Sequence, residues 1–290
     1  MALPNFILIG AMKAGTTSLA RYLDAHPDVF VCKPKEPNFF ADPGRWGKGI
    51  DWYQSLFPDS DRINGEASAF YTMAPDFSGA PHRMHLLLPE VRLLYLVRDP
   101  IERMRSMFVH RADQHREPSR SLAEAIETNP SYLQISRYDL QLEPYLKLFG
   151  EDRILVVTTD EMRDDPLSLL TRAFRHIGAD PSHHITAAPI PNQGADKRRL
   201  GDLGYMAART LQTIGARRLI PLDARRRIKR AFSSRIPKPS LMLGEGVEND
   251  LRSELARNLT ITRRQVSTSG APIPDWLAAQ SERPFQEPHH

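Results

Sequence analysis

Residues 6–19, FILIGAMKAGTTSL, bring a lysine, two glycines and three hydroxyl side chains to one strand-to-helix junction. Phe6 to Ile9 read as a buried strand, Gly10 to Gly15 bound a turn, and Thr16, Thr17 and Ser18 open a helix whose first N–H groups face that turn without intrahelical acceptors. A junction of this kind binds an anion. Its glycines are spaced as in the common nucleotide phosphate loop, Gly-x-x-x-x-Gly-Lys-Ser/Thr, but Lys13 lies inside the loop and Thr16 stands where that lysine belongs. A triphosphate with Mg²⁺ wants its lysine further along and a carboxylate at another strand end to hold the metal. A lysine within the loop suits an anion held through one phosphate, with the group to be transferred lying at the loop itself.

A second anion ligand stands at another strand end. The apolar run Val91–Val97 terminates in Arg98, and Asp99-Pro100 then starts a helix with Asp as N-cap and Pro at the first helical position. Each feature alone has an ordinary structural explanation, a tight turn for the first and a capped helix for the second. Two anion ligands at the ends of two apolar strands are more specific than either.

Lys13-Ala14-Gly15-Thr16-Thr17-Ser18 and Arg98-Asp99-Pro100-x-x-Arg103-x-x-Ser106 resemble the two nucleotide motifs of sulfotransferases that use 3′-phosphoadenosine 5′-phosphosulfate (PAPS), and the resemblance runs to about residue 200. It implies that Lys13, Ala14, Gly15, Thr16, Thr17 and Ser18 hold the 5′-phosphosulfate and that Arg98 and Ser106 belong to the 3′-phosphate site. One of Lys197, Arg198 and Arg199, in a downstream loop, would complete the pocket. Lys35-Glu36-Pro37-Asn38-Phe39-Phe40 is similar to the Lys-Glu-Pro-x-Phe-Phe stretch of the Golgi heparan-sulfate type, whereas Arg-Asp-Pro replaces the family's Arg-Asn-Pro.

The resemblance further implies an in-line transfer of the sulfuryl group to a hydroxyl, or less readily an amine, of a sugar, lipid or small-molecule acceptor. Lys13, the loop N–H groups and the Thr16 and Thr17 hydroxyls would stabilise charge on the leaving oxygen, without a metal. Glu36 would be the base. A glutamate with an ordinary pKa of about 4.3 is a poor one, so burial beside Phe39 and Phe40 is expected to raise it. His82, His85 and His110 are rival bases, because the soluble branch of the family uses histidine. Nearby, Trp52 and Tyr53 read as packing residues, Arg21 as a surface residue, and Tyr138 as either core or cleft lining. Glu66 is expected at the site, orienting Lys13 or touching the acceptor.

The elements that must position these groups alternate. Strands are expected at about 5–10, 28–32, 61–66, 91–97 and 153–158, and helices at about 16–25, 79–89, from Pro100, at 121–127, 135–149, 166–177 and 247–260. The intervening stretch up to about residue 60 reads as irregular. Alternation of this kind predicts an α/β fold with a mainly parallel central sheet covered by helices, and ligands beyond the strand C-terminal ends. All 290 residues read as one domain with a core over about 1–200 and a basic, mostly helical segment over about 201–290 packed on or covering the site.

Composition narrows the setting. The sole cysteine, Cys32, excludes an intrachain disulfide and reads as core filler, so the cytoplasm is the expected compartment. No window approaches the roughly 20 apolar residues of a membrane-spanning helix, and the apolar N-terminus lacks the basic region and cleavage site of a signal peptide. Net charge is +4, yet residues 197–238 alone carry +11, which suits an anionic donor, substrate or membrane surface. Few aromatics interleave with these charges, which disfavours nucleic acid as a partner. Nothing in the sequence specifies an oligomer. Two other classes stay open: a nucleotide or small-molecule kinase on the same kind of loop, and a noncatalytic anion-binding protein.

Overall fold

Five strands form one parallel sheet in the computed structural model, which describes residues 2–114, 116–183 and 240–278. They are β1 (Phe6–Gly10), β2 (Val29–Val31), β3 (Ile63–Ala67), β4 (Arg92–Val97) and β5 (Ile154–Thr158), in the order β2-β3-β1-β4-β5. Phe6 through Gly10 are all buried, as a strand covered on both faces requires. The chain leaves β1 towards β2 and β3 on one side and later fills β4 and β5 on the other, so β1 and β4 flank the point where strand order reverses. Register aligns the strand ends there: Leu8 pairs with both Ala67 and Leu94, and Val97 with Thr158.

The helices among the described residues are α1 (Thr16–Asp24), α2 (Pro43–Trp46), α3 (Gly49–Gln54), α4 (Ala80–Leu87), α5 (Pro100–Asp113), α6 (Leu122–Thr128), α7 (Ser131–Ser136), α8 (Tyr138–Phe149), α9 (Thr159–Asp164), α10 (Pro166–Ile177), α11 (Glu245–Ala256), α12 (Thr260–Thr268) and α13 (Asp275–Ala278). Several depart from the sequence expectation. The stretch read as irregular holds α2 and α3; the helix expected at 135–149 is two, α7 and α8, broken at Arg137, whose ψ of 76° is not helical. Helix α9 follows β5 directly, and the one helix expected near the C-terminus is followed by α12 and α13.

One apolar core covers the sheet and takes in Leu259, Val266, Ala271 and Leu277 from the C-terminal helices. A second joins Ile101, Met104 and Phe108 of α5 to Leu122, Tyr132, Leu251 and Leu255. The described part of the C-terminal segment is therefore held by burial as well as by charge. No helix among the described residues is long and apolar enough to cross a membrane. Lys197, Arg198, Arg199 and the basic run 209–238 lie outside the described residues.

Candidate active site

The turn after β1 is built to present backbone donors. Gly15 is the N-cap of α1 with φ of 105°, no side chain caps the helix, and no acidic residue occupies its first turn. A positive φ favours glycine, and a β-carbon there would also press on Met162 at 3.0 Å. Lys13 has φ of 72°, so the loop reverses through two left-handed residues within three positions. Thr16 is buried, Thr17 exposed and Ser18 half-buried. The result is a nine-residue helix whose positive end carries no side-chain cap.

Arg98 meets this loop directly. Its Nη1 donates to the Lys13 carbonyl at 3.4 Å, and its Nη2 lies 3.4 Å from Glu102 Oε2. Its backbone is fixed by Tyr138, whose hydroxyl donates to the Arg98 carbonyl at 2.7 Å. Tyr138 is fully buried against Tyr95, so of the two readings open in the sequence it takes the core one, with the added task of holding Arg98. Asp99 Oδ1 accepts from the N–H groups of Ile101 and Glu102, the N-cap expected from Asp-Pro. Ser106 stands half-buried two turns along the same helix.

Two further residues brace the site: Thr159, missed from sequence, links the loop after β1 to the end of β4, and Arg103, seen in the sequence only as part of the Arg98 motif, links α5 to α7. Thr159 Oγ1, at the start of α9, shares its proton between the carbonyls of Ala14 at 2.7 Å and Val97 at 3.1 Å. Arg103 is fully buried, donating to Ser136 Oγ at 2.8 Å and the Tyr132 carbonyl at 2.6 Å, with no carboxylate within ion-pair distance among the described residues. Burial pulls its guanidinium below the ordinary range, and it reinforces the positive field behind Arg98. A carboxylate cluster does lie at the outer face of α5, where Glu102 and Glu248 engage Arg105, and Asp99 and Glu248 engage Arg252.

Glu36 departs from expectation in one respect. Phe39 and Phe40 are buried, but Glu36 keeps 38% of its side chain exposed and pairs with Lys35 Nζ at 2.7 Å, so it is not enclosed by those rings. Asn38 adopts a left-handed conformation at φ of 52° and turns the chain between Glu36 and the rings. Glu66 is the enclosed carboxyl instead. Its oxygens accept from Tyr53 at 2.6 Å, Tyr71 at 2.8 Å and Ser68 at 2.8 Å, and burial pushes its pKa up to about 7 against the pull of those bonds. Of the two roles expected for it, orienting Lys13 or touching the acceptor, full burial speaks against the second. Tyr53 stacks on Phe39 with centroids 4.3 Å apart, while Lys48 and Arg45 lie over Trp52, which makes this pair packing residues as expected. His82 is exposed on α4, His85 packs edge-on against Phe149, and His110 bonds Gln114. Arg21 is exposed.

Comparison with known proteins agrees with this scaffold. The model of the sulfotransferase domain matches residues 3–188. Mouse heparan sulfate glucosamine 3-O-sulfotransferase 3B1 is 32% identical over 186 residues, covering 61% of this chain and 46% of its own. The mouse bifunctional heparan sulfate N-deacetylase/N-sulfotransferase 4 is 27% identical over 208 residues, 64% of this chain and 23% of that protein. The chain thus spans from about a quarter to about half the length of these relatives. Among solved structures, a sulfotransferase from Alicyclobacillus acidocaldarius superposes with a TM-score of 0.65 at 22% identity, over 95% of this chain and 99% of that one. A mouse sulfotransferase in complex with PAP gives 0.50 at 13% identity, over 92% and 88%. The fold is shared with both, and the matched span contains the phosphate loop, the Glu36 loop and the Arg98 strand end, so this chain belongs to the sulfotransferase domain family.

Proposed function

We propose that this protein transfers a sulfuryl group from PAPS to a hydroxyl of a sugar, lipid or small-molecule acceptor, a glycan being favoured by the relatives that act on heparan sulfate. The observation that carries the reading is the bond from Arg98 to the Lys13 carbonyl, which joins an uncapped helix N-terminus to an arginine at the adjacent strand end. Two anion ligands held side by side suit a nucleotide with a phosphate at each end of its ribose better than a linear triphosphate.

PAPS supplies the sulfuryl group and a nucleotide leaving group; the rest is the work of this chain. The N–H groups of Thr16 and Thr17, with Lys13, Gly15 and Ser18, would hold the 5′ end, and Ala14, whose carbonyl is taken by Thr159, sets the loop's shape. Arg98 and Ser106 would hold the 3′-phosphate, backed by the buried charge of Arg103, with Lys197, Arg198 or Arg199 closing the pocket. Lys13 stabilises charge on the departing oxygen. Glu36, accessible and bonded to Lys35, takes the proton from the acceptor hydroxyl.

The test is a set of three variants probed with PAP. Lys13→Ala and Arg98→Ala lose binding, whereas Glu36→Gln binds PAP as the wild type does yet transfers no sulfate. Undiminished PAP binding by both Lys13→Ala and Arg98→Ala would exclude this site.

A further inference from the structure

Four contacts hang the Glu36 loop on the end of β3. The Lys35 carbonyl accepts from Ala67 N–H at 3.2 Å, and Lys35 Nζ donates to the Ala67 carbonyl at 3.3 Å. On the other side of Glu36, Asn38 N–H donates to Ser68 Oγ at 3.1 Å, and Phe40 N–H donates to Tyr71 Oη at 3.4 Å. Ser68 and Tyr71 each spend their own proton on Glu66, which frees their lone pairs for those two amides. The direction of every bond in this relay runs inwards, from loop amide to hydroxyl to buried carboxylate.

Resting on the assignment of Glu36 as the base, we propose that Glu66 is a positioning residue for sulfuryl transfer: through Ser68 and Tyr71 its carboxylate fixes the loop that presents Glu36. An ionised carboxylate only accepts, and the relay needs a pure acceptor at its inner end. A protonated Glu66 must donate to one of its three hydroxyl partners; where Ser68 at Oε2 or Tyr71 at Oε1 receives that proton, its own hydroxyl hydrogen turns away from the carboxyl and the loop amide it was accepting from has to share its lone pairs.

The groups that face Glu66 leave it as the one that titrates near neutrality. They are Tyr53 from α3, Tyr71 from the turn after β3, Tyr145 from α8, Cys32 after β2 and Lys35 from the loop. Burial lifts the three tyrosines well above 10 and raises the Cys32 thiol beyond its ordinary value, so all four keep their protons. Lys35 is the cation that favours the ionised carboxylate. The Glu36 loop is therefore held more firmly as pH rises through about 7.

Amide hydrogen exchange tests this without an acceptor in hand. Exchange is followed in peptides spanning 34–41 and, as control, in β1 and β4, with rates corrected for intrinsic base catalysis, from pH 5.5 to 8.5. In the wild type the protection of 34–41 should increase across neutral pH. Ser68→Ala and Glu66→Gln should each lower it by roughly tenfold at high pH, remove its pH dependence, and leave β1 and β4 protected. Equal protection of 34–41 in wild type and both variants, or parallel loss in the control strands, would overturn the proposal. PAP affinity measured on the same samples reports separately on the donor site: its absence would refute the proposed function while leaving the exchange result to stand or fall alone.

Discussion

Replacing Glu66 by Gln should stabilise the protein at alkaline pH relative to the wild type and leave acid stability nearly equal. The carboxyl is fully buried, and its pKa rises from 4.5 to about 7 on folding. The folded state therefore holds the proton more tightly than the unfolded chain, so stability is highest below pH 4.5 and is lost as pH climbs through 7. The interval corresponds to about 3 kcal/mol, of which roughly 2.5 kcal/mol falls between pH 5 and pH 9. Glutamine has the same shape and no charge, so the difference between the two urea-unfolding free energies isolates this group from every other titration. The gap should widen with pH and level off above about 8. Parallel stability curves for the two proteins, or a gap that widens towards acid, would refute the assignment of a raised pKa. A gap that opens with pH as expected makes the relay an example of stability given up for a placed loop, since the ionised form that holds the Glu36 loop is the form that costs the fold.

Two other outcomes follow from charge and capping. Asp139 is buried in α8 and accepts from the Ile261 and Thr262 N–H groups and the Thr262 hydroxyl, all at 2.8 Å, capping α12 from outside the helix. Asp139→Ala should cost about 2–4 kcal/mol in chemical denaturation and loosen residues 260–268 first, because Thr262 stays buried with its donors unmet. Glu102 draws Arg98 and Arg105 to itself at the proposed 3′-phosphate site. Glu102→Gln should tighten PAP binding by roughly threefold to tenfold in calorimetry, with the gain shrinking as salt is raised.

Much of the site is legible in the sequence because its chemistry is local. The phosphate loop needs only a strand, two glycines and a helix start, and Asp99-Pro100 announces its own N-cap; strands β1, β2, β4 and β5 emerge from continuous apolar runs. The same Asp-Pro signal stands at Asp42-Pro43, where Asp42 caps α2, and would have found that helix within the stretch read as irregular. Thr158, which caps α9 through the Glu161 N–H, is a comparable missed sign. What no local rule gives is the burial of a charge. Glu36 and Glu66 look alike in sequence, and only the closure of Tyr53 and Tyr71 over β3 leaves one enclosed and the other exposed. Arg103 and Thr159 likewise acquire their tasks from partners 29 or more residues away.

The cradle at Lys13 and Arg98 is proposed to take a nucleotide carrying phosphates at both ends of its ribose. Calorimetric titration of the wild type and Arg98→Ala with PAP, AMP and ATP, with and without Mg²⁺, tests it most directly. PAP should bind without metal and AMP much more weakly, and Arg98→Ala should lose that preference. ATP binding equal to or tighter than PAP binding and dependent on Mg²⁺ would contradict it and favour a kinase.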